Sequence, residues 1–174
     1  MKKTIIRYGL ISSVVLIVLF LIEWAIFNNK NYAAQEVMGY ASMIIAMLFV
    51  FFGIKHYRDK ENGGLLSFGQ GMKVGVLIVL IPALVYGLFD VLYILVLNPG
   101  FMNDYFNYYL AEMQKTMTAQ EFEKARASME SQKAMFSKPV VNFMVMFLTV
   151  FVIGMIVTVI SSLILRRRAR TAIA

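Results

Sequence analysis

Four stretches of the chain run with few or no charges, at residues 5–27, 35–55, 74–97 and 140–165, and the longest uncharged run, Pro139 to Leu165, covers 27 residues. A helix that crosses the hydrocarbon core of a bilayer needs about 20 mostly apolar residues, so the pattern predicts four membrane-spanning helices. Between the third and the fourth the pattern becomes one-sided. Met102, Phe106, Tyr109, Met113 and Met117 recur at intervals of four and three, the spacing of a single helix face, and such a stripe suits a helix lying on a membrane surface. Thr118-Ala119-Gln120-Glu121 then matches a capping box, and Phe122, Ala125 and Met129 share one face of a second short helix that ends before Pro139. The expected fold class is all-α: an integral membrane four-helix bundle, residues 1–174 forming one transmembrane domain, with an amphipathic helical segment at about 101–136 folded as a cap.

Composition agrees with a lipid environment. Of the 174 residues 60% are hydrophobic and 16% charged, against roughly 45–50% and about 25% in soluble domains, which excludes both a disordered chain and a soluble globule. The absence of cysteine removes disulfides, thiolate metal sites and cysteine nucleophiles, and with a single histidine no bound metal or cofactor is expected. The net charge of +7 is a question of loops rather than of nucleic acid. Lys2, Lys3 and Arg7 precede span one, Lys55, Arg58, Lys60 and Lys73 lie between spans two and three, and Arg166, Arg167, Arg168 and Arg170 follow span four; the short connection on the other side carries only Lys30. The positive-inside rule then places both termini in the cytoplasm and the 99–138 segment outside, as an even number of spans also requires. Lys2, Lys3 and Arg7 before the apolar run from Tyr8 to Ile22 resemble the start of a secretory signal, but Glu23 and Tyr32 stand where a cleavage site needs small residues, so the first span is expected to stay uncleaved.

One connection carries a recognisable pattern. Gly53-Ile54-Lys55-His56-Tyr57-Arg58-Asp59-Lys60, then Gly63-Gly64, then Ser67-Phe68-Gly69-Gln70-Gly71 and Lys73-Val74-Gly75, with the Asn98-Pro99 exit from span three, resembles the bacterial membrane proteins of the domain of unknown function 4199 family. The resemblance implies a four-span protein of the bacterial inner membrane and no assigned activity. Read physically, the same connection is a basic clip. Asp59, Glu61 and the two glycines stop one helix and reverse the chain, Lys55, Arg58, Lys60 and Lys73 face anionic headgroups together with Arg166, Arg167 and Arg168, and Ser67 caps the next helix. A docking or anion site at the exposed backbone of Gly69, Gly71 and Gly75 is the sharper alternative; the Gly-Lys-Ser/Thr of a P-loop is missing. His56 reads as a solvated loop residue. Gly71 and Gly75 form a GxxxG pair that invites close helix packing, within the chain or between two copies.

The acids inside the spans are the most informative residues. Asp90 precedes Leu97 by seven residues, about 10 Å below the boundary at ~1.5 Å per residue, and must be protonated, paired or wet. Tyr86 and Tyr93 share its face, Pro82 opens the same span to a kink, and Glu23 lies near the same level in a span of the same direction. The outer halves of the spans hold no Lys or Arg to neutralise them. Two readings follow. In the first, Glu23 reaches water and Asp90 bonds a tyrosine or a carbonyl, within a non-enzymatic accessory or envelope-associated protein that acts through lipids, a membrane-protein partner or a second copy. In the second, Glu23, Asp90, Tyr86 and Tyr93 form a proton or cation site in a small oligomeric transporter or sensor. An enzyme is not expected, because the outer segment offers neither His nor Cys.

Overall fold

The structure, a computed structural model, describes residues 1–27 and 31–167. It consists of α1 (Lys2–Phe27), α2 (Tyr32–His56), α3 (Phe68–Leu92), α4 (Phe101–Thr116), α5 (Ala119–Phe136) and α6 (Pro139–Leu165), with π-helical turns extending α2 over Tyr57–Glu61 and α3 over Tyr93–Leu97. Among the described residues Lys2–Phe27, Tyr32–Glu61, Phe68–Leu97 and Pro139–Leu165 are long and apolar enough to cross a membrane, and the chain is a multi-pass membrane protein. Around the bundle the neighbours run α1, α2, α6, α3 and back to α1. One end carries the amino terminus, the α2–α3 connection and the end of α6, and is called the basic end; the other lies beneath α4 and α5 and is called the cap end.

Lipid offers no hydrophobic drive for helices to associate, so close approach depends on small residues and buried hydrogen bonds. The half nearer the basic end follows that rule. A Cβ on Gly71 would sit 2.7 Å from the Ser162 Oγ, and a Cβ on Gly75 would collide with the Thr158 side chain, so α3 and α6 meet where α3 has no side chains. Gly154 of α6 is overlain by Val79 in the same way. The Ser12 hydroxyl donates to the Ala46 carbonyl at 2.7 Å, tying α1 to α2. Val50, Ile54, Leu66, Val74, Ile78, Val79 and Val150 fill the space between, all fully buried.

Caps and turns close this end. Gly63 and Gly64 adopt φ of 60° and 78°, the left-handed region that glycine enters without a Cβ penalty, and the chain reverses there into the Ser67–Gln70 capping box that starts α3. Leu66 and Arg167 exchange backbone hydrogen bonds of 2.8 and 2.9 Å. Glu61 accepts from the Thr4 hydroxyl and pairs with the terminal amine of Met1. Arg58 also bonds within the chain, its guanidinium on Asp59 at 2.6 Å and on the Leu165 carbonyl at 3.3 Å. His56 is the last residue of α2 rather than part of a loop, its ring 5.7 Å from that of Tyr8. Lys55, Lys60, Lys73, Arg166 and Arg167 are exposed. Lys30, Arg168 and Arg170 lie outside the described residues.

The cap departs from expectation in one respect. Thr118 and Glu121 form the capping box at the start of α5, but the stripe on α4 turns toward the bundle except for Met117, which is exposed. Phe106 is buried, and Met102, Phe106, Tyr109 and Met113 face a cavity at the top of the bundle. The bundle leaves a concavity at this end, and the stripe roofs it, with Tyr109 donating to Glu36 of α2 at 2.8 Å.

Candidate functional site

The cavity occupies about 520 Å³ and takes lining residues from all six helices. Glu23 enters from α1 and Asp90 from α3, each the one acid of its helix. They do not bond to each other. The Ser42 hydroxyl of α2 donates to Glu23, and the Asn142 side-chain amide of α6 donates to Asp90. Each acid is thus anchored to the neighbouring helix of the bundle, Glu23 to α2 and Asp90 to α6, and both are buried. Glu36 adds a third carboxyl at the rim, and among the described lining residues there is no Lys, Arg or His.

Aromatic rings make most of the remaining wall. Tyr32, at the start of α2, packs edge-to-face on Phe101 and Tyr105 and tilted on Tyr108 of the cap at ring distances of 5.9, 5.7 and 5.3 Å. Tyr93 meets Phe20 at 5.0 Å, Trp24 at 5.6 Å and Phe101 at 5.4 Å, joining α1, α3 and α4. It sits where α3 widens into its π-helical turn, a feature found mostly as single turns within helices and often at functional sites. On α4, burial and the neighbouring Glu36 push the Tyr105 phenol above its ordinary pKa. Burial raises Tyr109 likewise, and its hydrogen bond to Glu36 adds to the effect.

Of the residues singled out from sequence, Glu23, Asp90, Tyr86 and Tyr93 come together around this one cavity. Glu23 is 5% exposed rather than reaching water, and the partner of Asp90 is Asn142, not a tyrosine or a carbonyl. Pro82 is buried in α3, below the cavity. Gly71 and Gly75 lie at the other end against α6, so the face considered for a second copy is filled by the chain itself. Sequence reasoning missed Ser42, Asn142, Tyr32 and Gln35. Their signal was a polar group inside an apolar helix, which is ordinary for helix packing and carries no sign of direction.

Among the described residues no group of three His, Cys, Asp or Glu side chains is placed to hold a metal ion. A family model described as Protein of unknown function (DUF4199) matches residues 7–167, and the chain belongs to that family. No curated protein and no solved structure matches the chain.

Proposed function

Since the family is described as one of unknown function, function has to be read from the cavity, and we propose that the protein is a non-enzymatic sensor or small transporter that takes a proton or a cation into its cap-end cavity. It resides in the bacterial inner membrane with both termini in the cytoplasm and the cap outside. One observation carries this reading: Glu23 and Asp90 are buried in one cavity, each hydrogen-bonded to a neutral partner, with no basic residue among the described lining to neutralise them. A carboxylate at membrane depth is costly, at least about 2.5–3.5 kcal/mol, and a bound proton or cation offsets that cost. Binding and release then change the charge at a point where α1 meets α2 and α3 meets α6. Below the cavity the core residues Met47, Val50, Ile78 and Val79 are fully buried, so exchange runs through the cap end in this conformation.

Trp24 is the only tryptophan and packs on Tyr93, which lines the cavity. In reconstituted protein its fluorescence is expected to change over an acid-to-neutral titration, and Asp90→Asn with Glu23→Gln is expected to abolish the change. An identical profile in the double variant rules the reading out. The accessory role is a second reading, favoured by α5, which buries only Met129 and leaves Glu121, Glu123, Lys124, Arg126 and Glu130 exposed. Stoichiometric recovery of a membrane-protein partner on mild purification would support it. Anionic lipids at the exposed lysines and arginines of the basic end belong to either reading.

A further inference from the structure

We infer that the occupant of the cap-end cavity is an organic ammonium ion, a protonated amine on an apolar body about the size of an aromatic ring. This rests on the cation reading above and specifies its ligand. Beyond the carboxyls, two buried polar atoms point to a missing partner. Tyr32 lines the cavity and is 5% exposed, yet among the described residues its hydroxyl has no hydrogen-bond partner, and the side-chain carbonyl oxygen of Gln35, also in the lining, has none either. Buried polar groups are almost always paired. The Gln35 oxygen only accepts, so what completes it is a donor. Glu23 and Asp90 each use one oxygen on Ser42 or Asn142, and a carboxylate has about four acceptor positions. The vacant hydrogen-bonding positions are therefore mostly acceptors in a negatively charged cavity, which suits N–H donors on a cation and opposes a carboxylate or a phosphate.

The rest of the wall excludes a bare inorganic ion as the best fit. A metal ion asks for a compact shell of six or more oxygens or of nitrogen and sulfur donors, whereas Phe20, Met43, Tyr86, Phe101, Tyr105 and Met113 surround a volume of about 520 Å³. That size lies within the roughly 300–1,000 Å³ of small-molecule pockets. Tyrosine faces attract an ammonium group through the ring quadrupole, and thioethers adapt to irregular apolar shapes. An amine with a hydrophobic body uses the acids, the rings and the methionines together.

The test is titration of the full chain in phosphatidylglycerol nanodiscs, which supply no amine headgroup, with 4-phenylbutylammonium and its neutral counterpart 4-phenylbutanol. Calorimetry and Trp24 fluorescence are read against empty nanodiscs. The amine is expected to bind saturably, with the alcohol weaker by about tenfold or more, and Glu23→Gln and Asp90→Asn each weakening the amine by a similar factor. Gly39→Leu, whose Cβ would stand 3.9 Å from the Glu23 oxygen that Ser42 does not use, is expected to block the amine while thermal unfolding shows the fold intact. Competition by added phosphatidylethanolamine would identify a lipid headgroup as the source of the same ammonium chemistry. Equal binding of amine and alcohol, or acid variants that bind as the parent does, would overturn the inference. So would the absence of saturable amine binding: if the pH response of Trp24 still depends on Glu23 and Asp90, the ligand class alone is wrong, and if that response is missing too, the function reading falls with it.

Discussion

The two ends of the bundle solve the same packing problem in opposite ways. At the basic end, Gly71 and Gly75 bring α3 against Ser162 and Thr158 of α6, and Ile54, Val74 and Ile78 leave no space between the helices. At the cap end, Gly39 has only a Glu23 oxygen nearby, 3.9 Å from where a Cβ would stand, and large side chains hold the helices around a cavity. Small residues make a seal, and carboxyls with rings make a site. In a membrane, where van der Waals contact and hydrogen bonds drive helix association, leaving a cavity forgoes stability, and the basic end together with the cap helices compensates for it.

The largest expected effect breaks the seal. Gly75→Leu puts a branched side chain into the Thr158 contact and is expected to cost about 3 kcal/mol, whereas Gly39→Leu, a similar change in the cavity wall, is expected to be neutral or to stabilise by up to ~1 kcal/mol through helix propensity. Thermal unfolding of the purified variants in detergent compares them directly. Next comes the anchor of the site. Asn142→Ala leaves Asp90 buried without its donor and is expected to lose roughly 1–3 kcal/mol, and most of that loss is expected to vanish in an Asp90→Ala background, where no acid is left unpaired.

Smaller effects lie at the surfaces. The Tyr109 phenol is held above its ordinary pKa by burial and by its bond to Glu36, so the folded cap keeps a proton that an unfolded tyrosine gives up near pH ~10. Its contribution is fully present below that pH and is lost as the pH rises through the higher folded value, so alkaline titration is expected to loosen the cap before the bundle melts. Phenolate absorbance followed beside helical circular dichroism checks the order, and Tyr109→Phe is expected to remove this component for ~1 kcal/mol of stability. Thr4→Val is the smallest change, at most about 1 kcal/mol, because Glu61 stays part-exposed and keeps the Met1 amine.

How far the sequence could be read follows the same division. The helical stretches over 2–27, 32–61, 68–97 and 139–165, π-helical turns included, enclose the apolar runs, because a bilayer requires span length and apolarity to be written in the chain itself. Their ends differ where polar local signals take over, as at Ser67, whose capping box starts α3 six residues ahead of the expected span. Glu23 and Asp90 stood out because a charge in an apolar run is conspicuous, and Tyr86 and Tyr93 followed from helical spacing. Ser42 and Asn142 did not, since their meaning depends on which faces of α2 and α6 turn toward α1 and α3. The stripe on α4 was legible as a stripe, but whether it met lipid or protein depended on a concavity that no single helix encodes.

Accessibility along α2 tests the contrast between site and seal most directly. The chain has no cysteine, so single replacements report without background. Met43 lines the cavity and Val50 is fully buried two turns further along the same helix, about 10 Å away. In oriented membranes a small, membrane-impermeant thiol reagent is expected to modify Met43→Cys from the cap side alone and Val50→Cys from neither side. Modification of Val50→Cys, or of Met43→Cys from the basic side, would contradict a cavity that opens at one end of a sealed bundle.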